Sequence, residues 1–366
     1  MNKKIILCLI VLLGTLQVSA QKPKYVFLFI GDGMGLAQVS AAEASLSAKD
    51  NVISNKLLSF SYFPVIGLCT TFSADSYVTC SSAAATALAC GFKTNNGMVN
   101  ISPSGDTLKP ITYKLRDAGY KIGVATTVGI NHATPAGFYA ASGKRSDYYS
   151  IAEQLPLSGF NFFAGGGFIH PKGKKNDRAD IHEYITKTGY AIVRNPQNAT
   201  AGKDKIILFQ AENKGDALPT AIKREPNDLT LPQITAAAIR VLENEKGFFV
   251  MIEGGQIDWT CHANEGAAAV YETIDFADAV QVAVDFYKKY PKETLIIVTA
   301  DHETGGMSLN DDKNADLPFS FGWTTKDHTG LAVPVYALGA GSELFGGKMD
   351  NTDIPKRICQ AMEIND

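Results

Sequence analysis

The chain has 366 residues, enough for one large core or two ordinary domains. A hydrophobic fraction of 45% against 19% charged residues describes a folded globular protein and excludes a disordered one. The formal net charge of -3 argues against a nucleic-acid binder working through a basic footprint.

In chain order, residues 1–20 come first. Lys3 and Lys4 precede an apolar run from Ile5 to Leu13, and Val18-Ser19-Ala20 offers small residues for cleavage. The run is short for a bilayer span. It reads as a signal peptide with Gln21 as the mature N-terminus, an uncleaved anchor being the alternative. Cys8 lies inside the apolar run, away from the cleavage site, which speaks against a lipoprotein. No second hydrophobic span follows. The mature chain, 21–366, reads as a single domain and is expected in the periplasm or secreted, without stable membrane insertion. Export permits disulfides. Cys69, Cys80, Cys90, Cys261 and Cys359 remain, an odd number with no CxxC pair, and most read as small buried hydrophobes.

The mature chain alternates apolar runs with helical patterns. Strands are expected at Tyr25–Ile30, Val65–Thr71, Ile122–Thr126, Asn161–Ala164, Phe248–Glu253, Thr294–Thr299 and Val333–Leu338. Helices are expected at Ile111–Ala118, Ser150–Leu155, Pro232–Asn244 and Ala267–Tyr287. Continuous apolar strands suit coverage on both faces. The alternation predicts an α/β fold, a mostly parallel central sheet with helices on both faces. Residues 172–228 are more polar, with weak strand and helix signals, and read as a small insertion over the core.

Polar clusters follow three of the strands directly. Tyr25–Ile30 runs into a glycine-rich turn carrying Asp32. Phe248–Ile252 runs into Glu253, Asp258 and His262. Thr294–Thr299 runs into Asp301 and His302. In doubly wound sheets the ligand site lies at the carboxyl ends of the strands. Asp258 and His262, four apart, share one face if a helix starts there and could grip a metal. Singly, each cluster has a plain reading: a surface pair, a loop or an Asx turn. Their recurrence at successive strand ends favours metal chemistry. Between them, Thr79–Ala87 is Ala-rich and helix-forming, with Ser81 or Ser82 as the expected N-cap. By itself it could be a capped core helix. A hydroxyl there would also meet the N–H groups and positive dipole that suit a nucleophile facing phosphate.

The segments IGDGMG, YVTCSSAAATA, HATPAGF, EGGQIDWTCHANE, TADHETGG and DHTG, in this order over nearly the whole mature chain, resemble the alkaline phosphatase family. The resemblance implies an enzyme with two Zn2+ and one Mg2+ that hydrolyses small-molecule phosphate monoesters through a phosphoserine at Ser81. Asp258, His262 and His328 would hold one zinc, and Asp32, Asp301 and His302 the second, with Ser81 beside it. Asp32, Thr134 and Glu253 would hold magnesium. Arg145 would bind the phosphate, its planar fork suiting a bidentate contact. Two zinc ions on the order of 4 Å apart can hold attacking and leaving oxygens in line.

Three positions depart from the pattern. Cys80 stands where many relatives carry Asp beside Arg145, which implies a looser arginine; Cys80 as the nucleophile is the rival to Ser81. His132 stands where some relatives have Asp, and is expected behind the magnesium ligands, although an imidazole there could draw zinc into the third site. Trp259 replaces a Lys or His, so a phosphate contact is lost. His170 and His182 read as solvated. A phosphodiesterase or sulfatase-like relative, and a secreted metal- or phosphate-binding protein without turnover, are the alternative functions. A homodimer is compatible with the family.

Overall fold

The computed structural model describes residues 22–49, 53, 56–200, 202–211, 214–312 and 317–364. The expected signal peptide, residues 1–20, lies outside them. Among the described residues, fourteen strands and ten α-helices follow one another. The strands are β1 Tyr25–Gly31, β2 Val65–Thr70, β3 Lys121–Thr126, β4 Phe162–Gly165, β5 Ala191–Val193, β6 Ile206–Phe209, β7 Phe248–Gly254, β8 Thr294–Thr299, β9 Glu303–Thr304, β10 Ser308–Asp311, β11 Phe319–Gly322, β12 His328–Thr329, β13 Val333–Gly339 and β14 Gly347–Asp350. The helices are α1 Leu36–Ala48, α2 Ser81–Cys90, α3 Ile111–Asp117, α4 Ala133–Ala136, α5 Tyr148–Gln154, α6 Ile181–Lys187, α7 Leu231–Leu242, α8 Gln256–His262, α9 Gly266–Lys289 and α10 Asp353–Ala361.

Ten strands make one sheet in the order β14-β2-β13-β8-β1-β7-β3-β4-β6-β5. All neighbours pair parallel except β13, which runs against both β2 and β8. Helices α1, α7, α8 and α9 pack together, and α2 packs with α3, α4 and α10; α7 and α3 both meet β3. The sheet is thus covered by two helical layers. Every residue of β1, β7 and β8 is buried, which is why these strands read as unbroken apolar runs. Phe27 and Phe248 meet edge-on at 5.1 Å, and Phe286 of α9 closes on both. Each such ring contributes about 1.5–3 kcal/mol by leaving water.

Two expectations need correction. The polar segment 172–228 does not simply lie over the core: it supplies β5 and β6, which extend one edge of the main sheet. Ile206–Phe209 is fully buried there, but its four apolar residues sit between charged turns and give a weak signal. Neither Ser81 nor Ser82 caps α2. Cys80 is the N-cap, in extended backbone at φ -99 and ψ 160, and Ser81 is the first helical residue. Gly91 ends that helix at φ 74, a left-handed conformation that glycine adopts without steric cost. Cys69, Cys90, Cys261 and Cys359 are buried in the core, as expected of small hydrophobes. Among the described residues no helix is long and apolar enough to cross a membrane.

Candidate metal centre and nucleophile

The register of the central strands brings the polar clusters to one level. Ile30 of β1 pairs with Glu253 of β7 on one side and Thr299 of β8 on the other, and Glu253 pairs with Thr126 of β3. Asp32, Glu253 and Asp301 therefore leave the sheet together, all three fully buried or nearly so. Gly33, at φ 75, turns the chain after β1, and a Cβ built there would lie 2.7 Å from Thr304 Oγ1. No larger residue fits.

Three groups of donor atoms result. In the first, α8 puts Asp258 and His262 on one face, with His262 Nε2 3.3 Å from Asp258 Oδ1. His328 Nε2, brought in by β12, lies 3.5 Å from the same oxygen and 3.2 Å from His262 Nε2. In the second, His302 Nε2 is 3.4 Å from Asp32 Oδ1 and 3.2 Å from Asp301 Oδ2. The third brings Asp32, Glu253 and His132 together, with Thr134 Oγ1 donating to Asp32 Oδ2 at 3.4 Å. Expected behind the ligands, the His132 ring instead offers a nitrogen within the same group as the two carboxylates.

Ser81, at the N-terminus of α2, is buried, and its Oγ lies 3.3 Å from His302 Nε2. It therefore faces the second group. Cys80, one residue earlier, accepts the Gly97 N–H on Sγ at 3.1 Å and lies 3.1 Å from Ser82 Oγ. Burial raises its thiol pKa, but the Ser82 and Gly97 contacts and the Arg145 charge outweigh that and leave it below the ordinary value. The Arg145 backbone N–H donates to Gly97 O at 2.7 Å, and its Nη2 donates to His132 Nε2 at 3.4 Å. The guanidinium expected to be loose thus has a different anchor, an imidazole. Trp259 is 37% exposed and meets His132 edge-on, at 5.8 Å and 85°; Tyr148 lies nearly parallel to the same ring at 6.5 Å.

The protons show what the groups are built for. His262 Nδ1 donates to Lys326 O, and His328 Nδ1 donates to Thr79 O at 2.8 Å. Both rings are thereby turned so that Nε2 faces the first group, as carbonyl acceptors do behind metal-bound histidines. Burial raises the Asp32 and Asp301 carboxyls well above the usual range, and the neighbouring carboxylates add to this. Burial likewise lifts Glu253 to about 7, against hydrogen bonds from Thr126 and Thr134. Asp258 differs: burial is overcome by the hydrogen bond from His262 and the surrounding imidazoles, which hold it below the usual range, while that bond lifts His262 to about 9. Burial, then His328, pushes His302 far down. A neutral His302 thus stands beside two carboxylates.

That arrangement is unfavourable without a cation. Asp32 Oδ1, Asp301 Oδ2 and Glu253 Oε1 are buried with no hydrogen-bond partner among the described residues, a costly state for acidic oxygens. Divalent ions would satisfy all of them. Imidazole with carboxylate suits zinc in the first two groups, and the oxygen-rich third group suits magnesium. The donor set therefore fits the implied metals.

Sequence reasoning missed five participants. Thr126 donates a short hydrogen bond to Glu253 Oε2. Thr304 donates to Asp258 Oδ1 at 2.5 Å. Gln38 Nε2 donates to Glu303 Oε1 and to Thr304 O, each at 2.9 Å, and Tyr148 backs His132. Glu303 and Thr304 lie inside TADHETGG and were within reach of inspection; Thr126, Gln38 and Tyr148 carry no sequence signal.

The chain matches the family Alkaline phosphatase over residues 23–318 and 310–364. It is 31% identical to alkaline phosphatase 3 of Bacillus subtilis (strain 168), over 93% of this chain and 89% of that protein. The structure of alkaline phosphatase from the Antarctic bacterium TAB5 superposes with a TM-score of 0.84 at 34% identity, covering 94% of this chain and 100% of that one. A mutant of the same TAB5 enzyme, described with Mg bound in the M3 site, is 33% identical with a TM-score of 0.84, over 95% of this chain and 100% of that one.

Proposed function

This chain belongs to the alkaline phosphatase family, and from that premise we propose that it hydrolyses phosphate monoesters through a phosphoserine at Ser81. One observation carries the reading: buried carboxylates, three of them with an unpartnered oxygen, gather with four imidazoles beside a serine hydroxyl at a helix N-terminus. Asp258, His262 and His328 would hold one zinc, Asp32, Asp301 and His302 the other, and Asp32, Glu253 and Thr134 a magnesium. When bound, the ions supply positive charge that lowers the pKa of hydroxyl groups and offsets the charge of the phosphate dianion.

The chain's own residues do the rest. Ser81 Oγ gives up its proton to solvent and forms a bond to phosphorus as the bond to the leaving alkoxide breaks, and the alkoxide takes a proton from solvent. Water then forms the second bond to phosphorus, the Ser81 Oγ–P bond breaks, and the serine recovers a proton. Two easier displacements replace one difficult one. The free N–H groups of α2 and the Arg145 guanidinium meet the phosphate oxygens. Arg145 donates to His132 Nε2, so that nitrogen must accept and the neutral ring carries its proton on Nδ1. The ring's lone pair is thus turned to Arg145, while Nδ1 lies beside the third group without a hydrogen-bond partner among the described residues; the carboxylate and hydroxyl oxygens of that group favour magnesium. Residues 1–20 would export the enzyme to the periplasm or beyond.

The test is hydrolysis of p-nitrophenyl phosphate beside its bis(p-nitrophenyl) diester, before and after EDTA and after restoring zinc and magnesium. Chelator-sensitive monoester turnover is expected. Preference for the diester would overturn the monoesterase reading, and full activity in Ser81→Ala would overturn the phosphoserine.

A further inference from the structure

We propose that Thr304 is a positioning residue shared by the two zinc-type groups: its hydroxyl sets the proton on His302 and the orientation of Asp258, so that metal uptake at both places depends on it. This rests on the reading of those groups as zinc sites.

Thr304 is fully buried and stands where the relevant segments cross. Its backbone N–H donates to Gly33 O at 3.2 Å, in the turn that carries Asp32, while the Gly33 N–H donates to Asp301 Oδ1 at 3.1 Å. In the short β9–β12 ladder its partner across the strands is His328. Its hydroxyl lies 2.5 Å from Asp258 Oδ1 and 3.2 Å from His302 Nδ1. One hydroxyl thus touches a member of each group, and the same residue's backbone aligns a further one.

A threonine hydroxyl has one proton to give. An ionised Asp258 can only accept, so that proton goes to Asp258 Oδ1. Toward His302 the hydroxyl can then only accept, which requires the imidazole proton to be on Nδ1. Nε2 is left with its lone pair, 3.3 Å from Ser81 Oγ and facing Asp32 and Asp301. His262 and His328 have their Nδ1 atoms held by the carbonyls of Lys326 and Thr79. His302 has its Nδ1 held by a side chain, and that side chain also holds the other group's carboxylate. Gly33 makes the room: any Cβ there would press on this hydroxyl.

The experiment measures zinc stoichiometry and affinity by competition with a chromophoric chelator, in the full chain, for wild type, Thr304→Val and Thr304→Ser. Valine keeps the shape and the backbone ladder and removes the hydroxyl. We expect both zinc ions to bind about 10- to 100-fold more weakly in Thr304→Val, the usual effect of removing such a partner. Thr304→Ser should keep wild-type affinity. Unchanged affinity in Thr304→Val, weakening of one zinc alone, or equal loss in Thr304→Ser would overturn the proposal. A wild type that takes up no zinc would overturn the zinc reading itself, and this inference with it. A second readout needs no variant: 15N NMR of the imidazoles in the zinc-loaded wild type should show His302 with its proton on Nδ1. A proton on Nε2 would refute the assignment even if the valine variant did not fold.

Discussion

Glu272 offers a prediction whose sign and size follow from its surroundings. It is 2% exposed on α9, and it accepts the Ala221 N–H at 2.6 Å, tying the end of the segment 172–228 to the helix. Burial lifts its pKa from 4.5 to about 7; Ala221 and Arg224 pull it down, and Asp275 pushes it up. Arg224 cannot neutralise it fully, because it already makes two hydrogen bonds to Asp275, at 2.6 and 3.0 Å. Between the unfolded and folded pKa values the native state holds a proton that the unfolded state has released. Stability contributed by this group is therefore present below about pH 4.5 and is lost as pH rises toward 7. One pKa unit corresponds to about 1.4 kcal/mol, so the loss between about pH 5 and about pH 8 is on the order of 2–3 kcal/mol. Glu272→Gln keeps an acceptor for Ala221 and removes the titration. Urea unfolding of both proteins at the two pH values isolates the effect, since titration elsewhere is common to both. The glutamine variant should gain on wild type by that amount as pH rises. A difference between the two proteins that is the same at both pH values would refute the reasoning.

Ser81→Ala should lower kcat on the order of a thousandfold or more while leaving zinc uptake intact, measured by steady-state kinetics and metal analysis. Arg145→Ala should raise KM for p-nitrophenyl phosphate about 10- to 100-fold, since a hydrogen bond to a charged group contributes about 1.5–3 kcal/mol. Cys80→Asp should lower KM about two- to fivefold, by giving the guanidinium a carboxylate partner at a partly exposed site. Stripping the metals should lower Tm; with free zinc at about a thousand times its Kd the linked stabilisation is about 4 kcal/mol, to be read by thermal unfolding before and after EDTA.

The buried centre of the fold was legible because its strands carry their own signal. Tyr25–Gly31, Phe248–Gly254 and Thr294–Thr299 lie under two helical layers, so burial demanded unbroken apolar runs, and each run ends in the acid or imidazole that serves the site. The edges were not. Gly347–Asp350 pairs with β2 through its backbone and has a single buried side chain, so nothing in its composition marks a strand. The cap of α2 was misread because Ser81 has the better intrinsic preference, whereas the serine is needed inside the first turn, with its hydroxyl toward His302. The partner of His132 was hidden for a related reason. Its neighbour Arg145 comes from a loop 13 residues on, and that pairing exists only after folding.

What distinguishes this centre from a mere cluster of acids is that the proposed nucleophile and the imidazoles proposed as ligands are positioned by the same backbone. Thr79 O receives the His328 Nδ1 proton, and two residues later Ser81 begins α2. Lys326 O receives the His262 Nδ1 proton just before His328 enters β12. The segment that delivers the serine therefore also orients an imidazole of the first group. A displacement of residues 79–81 would turn His328 and move Ser81 together. Nucleophile placement and metal affinity should thus fail jointly when this loop is loosened. Inserting one glycine between Val78 and Thr79 tests the point: kcat and zinc affinity should fall together. Zinc affinity kept at the wild-type value while kcat collapses would show that the two are held independently.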